Sequence, residues 1–252
     1  SCKNNKKAEA DAEVVEAAKT ILADDVLAKI DELARPFMDE MDKIGVSDII
    51  SSHLTEQAKL VKPDYLLDPS EANNLVTKTQ KVNALAILLV DRTMMKAYEM
   101  PVEEANEAIA RLMAEIGLPA LSPVDSSEKK PFSEELSEKY QECKDRGDVA
   151  LFWQFNFATM NELSYLISQN PDLFYDNISE EQFQSFHKRV GATREVVKVL
   201  AEYDPELKLA WDTYSKYRME NPEEEYYSIA AAKEKQISRK DDFAARRAEM
   251  LK

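Results

Sequence analysis

The sequence predicts an all-α protein, about nine helices in a multi-helix bundle, with the possibility of two helical halves. Three observations carry this. Glycine is nearly absent, with only 4 in 252 residues, and a strand-and-turn architecture needs glycine at its tight turns. Apolar residues recur at steps of three and four along almost the whole chain, the period of one helix face. Helix-start signals punctuate the sequence at intervals that suit helices rather than strands.

The first helix is expected from Ala8 to Ile44, on the stripe Val15, Ala18, Leu22, Val26, Ile30, Leu33, Phe37, Met41 and Ile44. The stripe continues through Pro36, so a kink is expected there, and Gly45 closes the element. At 1.5 Å per residue it would be roughly 55 Å long. Val46, Ile50, Leu54, Ala58 and Val61 mark a second helix, closed before Pro63. Asp68-Pro69-Ser70-Glu71 reads as a capping box that opens a third, reaching about Tyr98. Its centre is apolar almost all round, so it is expected to be buried. Val102, Ala105, Ile109, Leu112 and Ile116 place a fourth, stopped by Gly117-Leu118-Pro119.

Residues 117–131 hold three prolines and three serines without periodicity and read as a linker or surface loop. They separate an N-terminal helical half, 8–116, from a C-terminal half, 132–252, that carries 18 of the 21 aromatic residues. In that half Leu136, Tyr140 and Cys143 share a short helix, with Cys143 expected to be a buried thiol. Gly147 ends it and Asp148 is expected to cap the next, which runs to about Ser168. That helix carries Phe152, Trp153, Phe155, Phe157, Leu163, Tyr165 and Leu166 on every side and so should lie centrally. Ser179 and Gln182 form a second capping box, with Ile178 and Phe183 as its hydrophobic staple. The stripe beyond runs from Phe183 through Phe186 to Tyr203 and predicts packing on the aromatic helix. Asp204-Pro205 and Asn221-Pro222 open the last two helices. The tail 233–252 has seven cations against four anions and a narrow seam of Ile237, Ala244 and Leu251 beside Phe243 and Met250. Packing of this seam on the body is expected.

Charge narrows the function. Net charge is −15, from 48 acidic and 33 basic residues, a field that repels phosphate backbones and speaks against nucleic-acid binding. The longest apolar run, Ala84–Val90, has seven residues, and a spanning helix needs about 20. No specific metal site or cofactor is expected. The two histidines, His53 and His187, are preceded at the third position by Ile50 and Gln184, so the Glu-x-x-His pair of di-iron bundles is missing. Asn170-Pro171-Asp172 starts like a calcium loop, but Phe174 and Tyr175 stand where an oxygen ligand and a glycine belong. Two serine–lysine spacings, Ser126/Lys129 and Ser185/Lys188, lack the companion motifs of penicillin-recognising enzymes. The tetratricopeptide pattern fits at neither Trp153 nor Trp211.

Polar residues inside the central helices are the remaining candidates. Asp91 and Arg92 follow the run Ala84–Val90, and Asn156 and Glu162 sit among aromatics. With His187 they make either a buried polar network or the polar contacts of a ligand pocket.

Ser1-Cys2, followed by Lys3-Asn4-Asn5-Lys6-Lys7, resembles a bacterial lipoprotein after signal-peptide removal. The resemblance covers residues 1–7. It implies that Cys2 is the acylation site, that 1–7 is a tether, and that the protein is held in the cell envelope, periplasmic or surface-exposed, with its lipid in a membrane. Taken together, the expectation is a lipid-anchored helical protein with a binding or structural role and a protein partner or small ligand. The alternatives are a hydrolase with an unrecognised carboxylate or metal site, and a cytosolic helical scaffold.

Overall fold

In a computed structural model the described residues are 19–118, 131–217 and 228–252. About three-quarters of them are helical, and no strand occurs among them. Eleven α-helices follow in order among the described residues: α1 (Asp24–Glu40), α2 (Val46–Ser52), α3 (Lys78–Ala97), α4 (Glu103–Ile116), α5 (Phe132–Asp145), α6 (Val149–Gln169), α7 (Pro171–Tyr175), α8 (Glu180–Leu200), α9 (Pro205–Lys216), α10 (Ile229–Ser238) and α11 (Lys240–Glu249). The count exceeds nine for two reasons. Pro171–Tyr175 is a separate short helix, and the expected last helix breaks at Arg239.

Helix boundaries differ from the sequence expectation where a non-local contact or a local side-chain bond intervenes. Residues 19–23 are not helical, which interrupts the expected long first helix, and α1 starts at Asp24. The Thr20 hydroxyl donates to Asp204 Oδ2 at 2.6 Å, and the Lys19 ammonium lies 3.8 Å from Asp148 Oδ2, which ties this stretch to residues beyond the 117–131 segment. Asp24 and Asp25 then suit a helix N-terminus, where anions meet the positive end of the dipole. α1 continues through Pro36 but ends at Glu40, and Gly45 is the residue before α2 rather than the stop of α1. α2 ends at Ser52, short of the expected Val61. Ser51 and Ser52 hydroxyls donate to the carbonyls of Asp48 and Ile49, bonds that compete with helix propagation.

Asp68 caps only a 3-10 turn, Pro69–Asn74, through a bond from Ser70 N–H. The true start of α3 is Thr77, whose hydroxyl accepts from Gln80 N–H while Gln80 Oε1 accepts from Thr77 N–H. Asp148 does not cap α6; its carboxylate is 3.0 Å from Arg146. The Ser179–Gln182 box opens α8 as expected, and Asp204 Oδ1 caps α9 by accepting from Leu207 N–H. Gly117 and Gly147 have φ of +77° and +73°, the left-handed conformation that lets a chain leave a helix at low cost. Most of 117–131, the Asn221-Pro222 signal, Ala8–Ala18 and the 1–7 tether with Cys2 lie outside the described residues.

α6 contributes side chains to all three large apolar clusters and is the axis of the fold. It packs on α3, α8 and α11, so helices from both sides of the 117–131 segment share one core with it. α1 packs chiefly on α8, and α4 on α3. Phe183 is buried, and Phe186, half-buried, meets the Phe174 ring edge-on at 5.9 Å. Cys143 is fully buried, and burial pushes its thiol up to about 11. The tail seam is rotated from its expected position. Phe243, Arg246 and Met250 face the body, while Ile237 is 53% exposed.

Candidate functional site

Asp91 stands on α3 and Glu162 on α6, the two most deeply enclosed helices, and both carboxyls are sealed from solvent at 0% and 1% exposure. Two ionised carboxylates could not be buried side by side without compensation. The compensation comes from the tail. Arg247 on α11 sends Nε to Glu162 Oε2 at 3.1 Å and a terminal nitrogen to Asp91 Oδ2 at 3.4 Å. Leu67 N–H donates to the same Asp91 oxygen at 2.8 Å. The guanidinium also lies over the Tyr165 ring, 5.2 Å from its centroid. Tyr65 packs edge-on against Tyr165 at 6.4 Å, and its hydroxyl accepts from Asn170 Nδ2 at 2.9 Å.

Two acids against one base leave a negative charge unless one acid keeps a proton. Asp91 Oδ1 is buried without an N–H donor among the described residues. A proton shared between Glu162 and Asp91 relieves their mutual repulsion. Burial, reinforced by the Asp91 charge, holds the Glu162 carboxyl well above its usual range. Burial raises Asp91 as well, opposed by the bonds from Glu162 and Leu67 and by the Arg247 charge. Burial works against the Arg247 charge, but Glu162 and Asp91 outweigh it and fasten the proton more firmly. A proton shared by the acid pair, favoured by the raised Glu162 carboxyl, brings the cluster with its guanidinium towards neutrality.

The five candidates picked from sequence do not converge. Asp91 and Glu162 meet. Arg92, one residue on, turns to the surface and donates to Asn106 Oδ1 at 3.0 Å. Asn156 donates to the Phe152 carbonyl of its own helix at 2.8 Å. His187 lies apart, in a shallow groove of about 440 Å³ where α1 and α8 face each other. Leu33, Pro36, Gly191 and Ala192 form its apolar lining, and Glu32, Lys188 and Glu195 bring charge beside His187. Sequence reasoning missed Arg247, Tyr165 and the Leu67 amide as partners of the acid pair. The signal available for Arg247 was the excess of basic residues in the tail, set against buried acids elsewhere.

Among the described residues no three His, Cys, Asp or Glu side chains are grouped so as to hold a metal ion, and no helix is long and apolar enough to cross a membrane. No family model, no curated protein and no solved structure matches the chain.

Proposed function

We propose that this chain is a lipid-anchored helical binding module of the bacterial cell envelope, tethered through Cys2. The observation that favours binding over hydrolysis is the state of the paired carboxyls. Asp91 and Glu162 are the paired carboxyls of the two central helices, yet both are buried and committed to Arg247 and Leu67. A general acid or base has to reach the proton it transfers, directly or through one water. These two act instead as an internal fastening. The surface that meets a ligand in this reading is the α1–α8 groove, whose volume lies within the range of small-ligand sites, about 300–1,000 Å³. The anchor rests on Ser1-Cys2 and the polar run Lys3–Lys7.

The test is metabolic labelling with palmitate of the full-length precursor in a bacterial host. The expected result is a labelled protein in the membrane fraction and loss of label in Cys2→Ala. Unlabelled wild-type protein in the soluble fraction overturns the anchor. For the groove, Gly191→Leu puts a side chain into the lining and should abolish ligand-induced thermal shifts while leaving the unliganded melting temperature within a few degrees. A ligand that binds this variant as tightly as wild type places binding elsewhere.

A further inference from the structure

The acid pair accepts more than an ordinary ion pair needs. We infer that the cleft formed by Asp91, Glu162 and Tyr165 between α3 and α6 is a guanidinium-recognition site, occupied in cis by Arg247 of α11. Four features support it. Two carboxyls on different helices meet different nitrogens of one guanidinium, Nε at 3.1 Å and a terminal nitrogen at 3.4 Å. A compact ammonium is a point charge and lacks this spread of donors. The cation lies over an aromatic face, 5.2 Å from the Tyr165 centroid and within cation–π range. Leu67 N–H, 2.8 Å from Asp91 Oδ2, holds the acceptor in place beside the cation.

The fourth feature is how α11 is attached. It is a separate ten-residue helix beyond a break at Arg239. Polar side chains hold much of it. Lys216 Nζ and the Tyr217 hydroxyl each donate to Glu249, at 2.8 and 2.7 Å, and Asn83 Nδ2 donates to the Met250 carbonyl at 2.8 Å. Arg247 reaches across 85 residues to Glu162 and 156 to Asp91. α11 thus behaves as a tethered segment that carries Arg247 to the acid pair while Phe243, Arg246 and Met250 pack on the body. The ligand class for the vacated cleft is an arginine side chain presented by another chain.

The test uses the full chain with Arg247→Ala and ethylguanidinium chloride, which restores the atoms that the substitution removes. Ethylammonium chloride at equal concentration is the control. Ethylguanidinium should raise the melting temperature of Arg247→Ala saturably and slow amide exchange in α11. Ethylammonium should do neither, and wild type should respond to neither. If Arg247→Ala is unfolded alone, recovery of its helical circular dichroism with ethylguanidinium is the readout, and no recovery counts against the site. In Asp91→Asn/Arg247→Ala, which no longer carries the Asp91 charge, the apparent affinity for ethylguanidinium should fall at least about tenfold, the loss expected when a charge-assisted partner is removed. An equal response to the two cations, no response of a folded variant, or an unchanged affinity in the double variant overturns the inference.

Discussion

The aromatic core around Trp153 and the polar cluster around Arg247 hold together by opposite means, although α6 serves both. Around Trp153 the partners are rings: Phe37 at 5.1 Å, Tyr140 at 5.5 Å and Phe152 at 5.2 Å, all edge-on, with Tyr140 stacked on Phe152 at 4.8 Å. No charge is involved in these contacts, and stability comes from area removed from water plus ring geometry. Around Arg247 the partners are two carboxyls, one amide and one ring, and stability depends on every charge keeping its counterpart. An apolar core loses stability in proportion to what is cut out of it. A buried ionic cluster responds instead to which member is removed, and some removals cost nothing.

Substitutions can break this contrast or sharpen it. The largest expected effect is Trp153→Ala, which deletes a fully buried side chain and its three ring contacts. It should cost at least about 3–5 kcal/mol by chemical denaturation. Arg247→Ala should come next, at about 3–5 kcal/mol, because it leaves buried carboxyls without a counter-charge. Its amide-exchange signature should differ from that of Trp153→Ala, with loosening concentrated in α11. Phe186→Ala should cost less than the 3 kcal/mol or so at the low end for a buried Phe, since Phe186 is only half-buried against Phe174.

The smallest effect should come from Glu162→Gln, within about 1 kcal/mol at neutral pH, because the amide reproduces the neutral acid in shape and can still meet Asp91 and Arg247. Its influence should appear in the pH dependence. The folded-state value of Glu162 lies above its unfolded value, near 4.5. The stability from its bound proton is therefore fully present below that unfolded value and is lost as pH rises through the raised folded one. Wild type minus Glu162→Gln, followed by thermal denaturation, should decline with rising pH over that window. A difference that grows with pH would mean that Glu162 is ionised in the folded protein.

The two regions also differ in how far the sequence announces them. Leu136, Tyr140 and Cys143, the aromatics of α6 and the Ser179–Gln182 box are local signals, and each leads to the element that forms. Local reasoning misses where a distant residue decides. The non-helical stretch 19–23 depends on Asp204, which is 184 positions from Thr20. Asp91 and Glu162 are recognisable as polar groups on central helices, but their counter-ion lies in the tail, and nothing nearby in sequence points to it. Arg92 and Asn156 stand near them in sequence but not in space. One residue along a helix rotates the side chain by about 100°, which carries Arg92 from the interior to Asn106 at the surface. A seam drawn through Ile237 and Leu251 likewise overlooks that Arg246 is itself a core residue, set between the Tyr214 and Phe243 rings at 5.3 and 5.2 Å.

The claim that α11 is fastened by mutually dependent buried charges is tested most directly by a double-mutant cycle of Asp91→Asn and Arg247→Met. Each single change should destabilise the protein strongly, because it strands a buried partner. The double change should cost far less than the two together, with a coupling of about 0.5–3 kcal/mol. If the two losses add to within about 0.5 kcal/mol, the charges act independently and the account of α11 is wrong.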